Sequence, residues 1–371
     1  MKQFRLSVTV LLFVVMHAAA QDDSIAVARI EFMSGKELYA DFCSRCHGQD
    51  GRGKISEEMI GNMDAPPPDF TDPYFSSGEK RRSWFNVIKY GGGIEGLSMS
   101  MPAWGEAISD SQINQLVDRL KSFVDQDRYP QGELNFVRAH TVTKAMAEQE
   151  ALLLPSWTTS TVNGQKETST RTVLYYANRF GNRFQYEAQV PLCTASVSGG
   201  SLYGLGDIEL DFKYAFHDDA ENLNILSAGF EWKLPTGSAS KGFGTGTISA
   251  VPYLAGGLEI RDLLQFQSSL EVDAPLDRSK GTPELNFAVS STLLTTQARQ
   301  GIFPGLEFDA SKNLGNDEST LSVVPTVYFT LSKRGHLALS VGRVFPVSGE
   351  RTFDSQWLAF FLWDYPDGPL W

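Results

Sequence analysis

The sequence holds three cysteines, and two of them stand three positions apart in "DFCSRCHGQDGRG", residues 41–53, with a histidine directly after the second. Cys43, Cys46 and His47 could make a disulfide, half of a zinc site, or the attachment point of a c-type haem. Zinc wants two more Cys or His ligands nearby, and the next histidine after His47 is His140. A thioredoxin-like redox pair would sit in a βαβ pattern, which the neighbouring residues do not show. The Cys-x-x-Cys-His order suits haem for a geometrical reason. Two thiols about one helical turn apart can add across the two vinyl groups of a porphyrin, and the adjacent imidazole is then carried under the iron as an axial ligand. Cys193, in "QVPLCTASV", has no such neighbours and reads as a small apolar residue at a strand end.

Such an iron takes a second axial ligand from downstream. In "GLSMSMPAWGEAISDSQINQLVDRLKSFV" Met101 precedes Pro102, whose restricted φ would fix the backbone just past a thioether ligand. Met99 is the alternative two residues earlier, and Met63 is a more distant one. The elements that must position these groups are helical. Ser34 can cap a helix carrying Leu38, Phe42 and Arg45 or Cys46 at helical spacing. Ser109 or Asp110 can cap another with Ile113, Leu116, Val117, Leu120 and Val124 on one side. Trp84 and Trp104 could pack on a porphyrin or simply in the core, and Arg81 and Arg82 could meet propionates or open a solvated helix.

The pieces "GKELYADFCSRCHGQDGRG", "PPPDFTD", "IKYGGG" and "MPAWGEAISDSQINQLVDRLKSF" together resemble a class I cytochrome c, from about Ser34 to Val124. The resemblance implies an all-α domain in which an N-terminal helix crosses a C-terminal one, with one covalent haem c whose edge is exposed. By that pattern Cys43 and Cys46 are the thioether sites, and His47 and Met101 are the axial ligands. Iron so coordinated has no open position, which implies an electron carrier and not an enzyme.

The start, "MKQFRLSVTVLLFVVMHAAAQDD", has the charged, apolar, small-residue order of a secretory signal peptide over residues 1–20. The formal charge of −12 has no basic block to offset it, so nucleic acid is not an expected partner. A cytochrome region over 31–126 is followed by a polar stretch, 127–149, that reads as a linker. Beyond it the hydrophobic period changes to two. In "GDIELDFKYAF" Ile208, Leu210, Phe212, Tyr214 and Phe216 alternate with Glu209, Asp211, Lys213 and Ala215. "SAGFEWKL" and "LLQFQSSLEVD" repeat the pattern, setting Glu231, Lys233, Glu271 and Asp273 on the face opposite the apolar residues.

About twelve such segments lie between 150 and 364, joined by connections whose lengths alternate short and long, with "CTASVSGGSLYG" and "PTGSASKGFGTG" among the long ones. Alternation also suits a soluble β-sandwich. The parity of connection lengths suits an antiparallel outer-membrane barrel with periplasmic turns and longer external loops. Residues 150–371 resemble the small outer-membrane barrels associated with uptake of aromatic compounds, on "TVTKAMAEQEALL", "GLGDIELDFKYAF", "FEWKLPTGSASKGFGTGT" and the aromatic end. The terminal "PDGPLW" departs from a strand that ends in its last aromatic. His140, His217 and His336 stand alone and read as surface residues.

The expected molecule is thus a cytochrome on the periplasmic side of an outer-membrane barrel, exchanging single electrons with periplasmic redox proteins. A cytochrome domain of about 30 Å across would not enter a barrel whose backbone is roughly 24 Å wide. Two other readings remain at this stage: a channel for small hydrophobic or aromatic solutes with an accessory cytochrome, and a soluble cytochrome subunit of a periplasmic dehydrogenase.

Overall fold

The computed structural model describes residues 30–371, apart from 55, 62, 126–130, 198–199, 297–299, 333–334, 350–352, 367 and 371, so the signal-peptide expectation lies outside the described residues. The chain divides into two compact units. One runs to Ser76 and resumes over Arg81–Asp125; the other takes Ser77–Lys80 and Gln126–Trp371.

The first unit is helical. Its first helix, α1, spans 35–47 as an α-helical turn Gly35–Leu38, a π-helical turn Tyr39–Cys43 and a final turn Ser44–His47. Short helices α2 (Glu57–Gly61) and α3 (Pro73–Gly78) follow, then α4 (Arg81–Tyr90) and α5 (Asp110–Lys121). Both expected caps form as reciprocal capping boxes, Ser34 with Glu37 and Ser109 with Gln112, which satisfy backbone donors that a helix start leaves open. Helix α5 buries Ile113, Leu116, Val117 and Leu120 in one cluster with Leu38, Tyr39, Phe70, Trp84 and Ile88.

Helices α1 and α5 meet at Gly35, whose amide donates to Gln115 Oε1 at 3.1 Å. A methyl group at Gly35 would strike the Gln115 backbone. The variant Gly35→Ala is therefore expected to cost about 1–3 kcal/mol, read as earlier thermal loss of the helical ellipticity signal.

The second unit is an antiparallel sheet of β1 (Glu150–Val162), β2 (Gln165–Phe180), β3 (Phe184–Val197), β4 (Gly200–Leu205), β5 (Ile208–Asp219), β6 (Asn224–Leu234), β7 (Ser249–Ile260), β8 (Leu264–Pro275), β9 (Glu284–Leu293), β10 (Ile302–Asn313), β11 (Ser319–Thr330), β12 (Leu337–Ser348) and β13 (Ser355–Trp363). Every strand but β4 pairs with the one that follows it, and β13 returns to β1 with Trp157 opposite Trp357, so the sheet closes. One half of β3 pairs with β5 (Tyr186 opposite Phe212) and the other with β4 (Thr194 opposite Tyr203). Strands β4 and β5 therefore share one position, and the thirteen described strands make a twelve-position barrel.

Here the structure corrects a detail. "CTASVSGGSLYG", expected as a loop, is the hairpin of β3 and β4, because its small side chains alternate and its backbone groups pair. The closing register is also defined: Ala151 faces Trp363. The residues after β13 fold back, with Trp363 Nε1 donating to the Gly368 carbonyl at 2.8 Å.

The faces are inverted relative to a water-soluble sheet. On β5 Phe212 is 61% exposed while Asp211 and Lys213 beside it are 3% and 4% exposed. The same holds around the ring, with Leu226, Leu254, Leu270, Phe287 and Phe308 outward and Ser227, Gln267, Ser269, Ser290 and Glu307 inward. An apolar outer band around a polar interior, on a ring of strands closed by the β1–β13 pair, is what a bilayer requires of strands. The barrel is an outer-membrane type, and the inward charges expected on β5, β6 and β8 do line its lumen. Lys233 pairs with Asp273 at 2.7 Å and Arg171 with Glu209 at 2.8 Å.

A larger correction concerns the stretch read as a linker. Its described part, 131–149, runs inside the barrel. Leu134, Phe136, Ala145 and Met146 cluster with Ala215, Ile225, Tyr253 and Ala255 of the wall. His140, expected at the surface, is half-buried against Phe360 with ring centroids 4.7 Å apart, and its Nε2 lies 2.9 Å from Ser340 Oγ. A polar composition suits a water-exposed tether and a polar lumen equally well, so composition alone could not separate the two.

Candidate functional site

The site grows from α1. Its π-helical turn ends at Cys43, and the α-helical turn that follows brings Cys46 and His47 round. The two thiols are half-buried and not joined to one another. Burial, and then the neighbouring Cys46, push the Cys43 thiol up to about 11, so it stays protonated. Gly48 ends the helix at φ +75°, a conformation glycine adopts without strain, and turns the chain away directly after His47. Gly53 N then donates back to the His47 carbonyl at 2.9 Å.

Burial lowers the His47 imidazole to about 4, so at neutral pH the ring is in the uncharged form that binds metals. It packs on Phe70 at 4.8 Å between centroids, and its buried Nδ1 has no hydrogen-bond partner. Among the described residues no group of three or more His, Cys, Asp or Glu side chains could hold a metal ion. A thiol pair beside a neutral, under-bonded imidazole at an apolar margin is a donor set that fits a covalent haem.

The methionines separate clearly. Met101 packs against the same core cluster as Cys43, Phe42 and Trp104, whereas Met99 is 77% exposed. Met63 does not join that cluster. The structure thus brings Cys43 and Met101 to one core margin and leaves Met99 pointing to solvent. Met101 is held through its backbone: its carbonyl accepts from Gly92 N at 3.0 Å, and its amide donates to Ser98 O at 3.3 Å. Trp84 lies in the core beside Phe70, ring centroids 5.3 Å apart, while Trp104 packs near Phe42 at 5.5 Å. Arg81 pairs with Asp118 on α5.

Asp64 was not legible as part of the site. Its carboxylate accepts from the Ser98 hydroxyl, from Met99 N at 2.9 Å, and from the Ser100 hydroxyl at 2.9 Å, so it clamps the segment leading into Met101. The Ser98 bond first, then the Met99 amide and Ser100, hold its carboxyl well below the usual range. The clamp is complete at neutral pH and is released only as the solution falls through that depressed value. In Asp64→Ala those three donors are left without their acceptor. A weaker methionine-to-iron absorption band, with helical content unchanged, is the expected result.

Residues 31–118 match the family model described as "Cytochrome C oxidase, cbb3-type, subunit III". For the barrel, similar solved structures include the COG4313 outer membrane channel from Pseudomonas putida F1, at 14% identity and a TM-score of 0.48, covering 62% of this chain and 99% of that one. The KdgM porin is similar at 12% identity and a TM-score of 0.41, covering 58% and 99%. The NanC porin is similar at 9% and 0.40, covering 57% and 98%. No curated protein sequence matches the chain.

Proposed function

We propose that this chain, a cytochrome c domain fused to a closed outer-membrane β-barrel, carries one covalent haem c and exchanges single electrons with periplasmic redox proteins. The observation that supports the reading is that Cys43 and Met101 pack against one apolar cluster of the helical unit, with Cys46 and His47 in the helical turn that follows Cys43. When bound, the haem supplies a one-electron couple. The protein's own residues do the rest. Cys43 and Cys46 tether the group, and His47 ligates through a ring that burial keeps neutral. Met101 completes the coordination from a segment pinned by Gly92 and Asp64. Phe42, Phe70 and Trp104 would exclude water from the bound group.

The barrel serves as the anchor. The end at which β1 begins also carries the connections 181–183, 220–223 and 261–263, while the opposite end carries 235–248 and the β3–β4 hairpin. Three connections of four residues or fewer at the β1 end, against the longest connection, 235–248, at the other, support a periplasmic location for the β1 end. The alternative of a channel that stands open to aromatic solutes is disfavoured by the lumen segment 131–149.

The test is a redox titration of the purified full-length protein. A single one-electron transition and no carbon monoxide binding to the reduced form are expected. Ready carbon monoxide binding would contradict methionine ligation and reopen an enzymatic role.

A further inference from the structure

The segment 131–149 reaches opposite walls of the barrel. Glu148 N donates to Gln185 Oε1 of β3 at 2.6 Å. Across the lumen on β10, half the ring away, Glu307 accepts from His140 N at 2.9 Å and from Thr141 N and Oγ1, each at 2.7 Å. A second span is built the same way. Arg138 pairs with Glu150 at the start of β1, while Val137 N donates to Gln265 Oε1 of β8 at 2.8 Å and Val137 O accepts from Gln267 at 2.7 Å. Lys213 of β5 donates to the Lys144 carbonyl at 2.7 Å. The wall side chains that bind the segment are polar and buried, with Gln265 and Glu307 each 1% exposed.

We propose that residues 131–149 are a gate, closing a pore that passes small cations when the segment withdraws. This does not rest on the haem reading. Closure and selectivity stand on separate observations. Closure follows from a strap bonded to facing walls. A lumen built only as a filled core would close itself with side chains of the wall, yet here wall groups are committed to backbone donors and acceptors of a separate segment. Such bonds can be exchanged for water when the segment leaves, because water supplies the same donors and acceptors. Cation preference follows from the lumen beyond the strap, where Glu209, Asp273 and Asp309 outnumber Arg171 and Lys233.

The test uses the full chain in planar bilayers. Wild-type protein is expected to stay closed. The double variant Glu307→Ala with Arg138→Ala removes acceptors and a donor of the strap. Breaking each of these charge-assisted hydrogen bonds shifts the closed–open balance by roughly tenfold or more, so stepwise openings should appear. A second variant replaces residues 136–146 by Gly and Ser at the same length. A heat-modifiable band confirms that either variant still forms the barrel. In a salt gradient the open steps should reverse at a cation-selective potential. Steady wild-type conductance equal to that of the variants would overturn the gate, as would folded variants that remain closed. An anion-selective reversal would overturn the cation assignment.

Discussion

Replacing Cys43 and Cys46 together by alanine is expected to abolish the haem-stained band on a denaturing gel while leaving the barrel folded. Thioethers survive denaturant and heat, whereas a group held by ligation alone is lost as the protein unfolds. The two thiols lie at the end of the π-helical turn and in the turn that follows, so either alone can keep one bond. Single variants should therefore retain a haem-stained band, and the double variant none. His47→Ala should keep the covalent group when maturation succeeds but lose the low-spin spectrum, since no other described histidine lies in that unit. Met101→Ala should keep covalent haem and gain carbon monoxide binding, and Met99→Ala should leave the carbon monoxide response unchanged, because Met99 is solvent-exposed. The opposite pattern for the two methionines would exchange their roles.

The second large effect is expected on the outer face of the barrel. Phe212 is 61% exposed, and in a soluble sandwich its replacement by arginine would fall within about 0.5 kcal/mol. In a bilayer the same Phe212→Arg change puts a charge against lipid tails and should cost about 2–4 kcal/mol near the midplane. Leu254→Arg, 53% exposed on β7, should behave alike. Thr170→Arg is the control. It faces outward on the polar part of β2 near the β1–β2 turn, where its hydroxyl meets Thr194 at 2.8 Å. Urea unfolding in lipid vesicles measures all three. Equal, small effects at every position would mean that the apolar band does not sit in a membrane.

Much of this architecture could be read from sequence because two periodicities carry it. Capping residues and the 3.6-residue pattern marked α1 and α5, and alternation marked β5, β6 and β8 down to which charges face inward. The Cys-x-x-Cys-His motif was legible because its spacing is local. What escaped lay in interactions across the fold. The strap 131–149 has the polar and small residues of a tether, and its partners Gln185, Gln267 and Glu307 are far away in the chain. His140 looked isolated for the same reason, since Ser340 and Phe360 reach it only when the barrel closes. Asp64 carries no local signature, as its partners Ser98, Met99 and Ser100 lie on another loop. Pro102 after Met101 favoured that methionine over Met99 in the sequence, and the difference in exposure between the two came only with the fold.

The central claim is that one chain is both a haem protein and a membrane barrel. Carbonate-washed outer membranes from cells with haem-maturation machinery, run with and without boiling and stained for haem, test both halves together. The account predicts a haem-positive band that stays with the membranes and shifts in mobility on boiling. A haem-positive band that washes off and does not shift would contradict it, and would place the strands in a soluble domain.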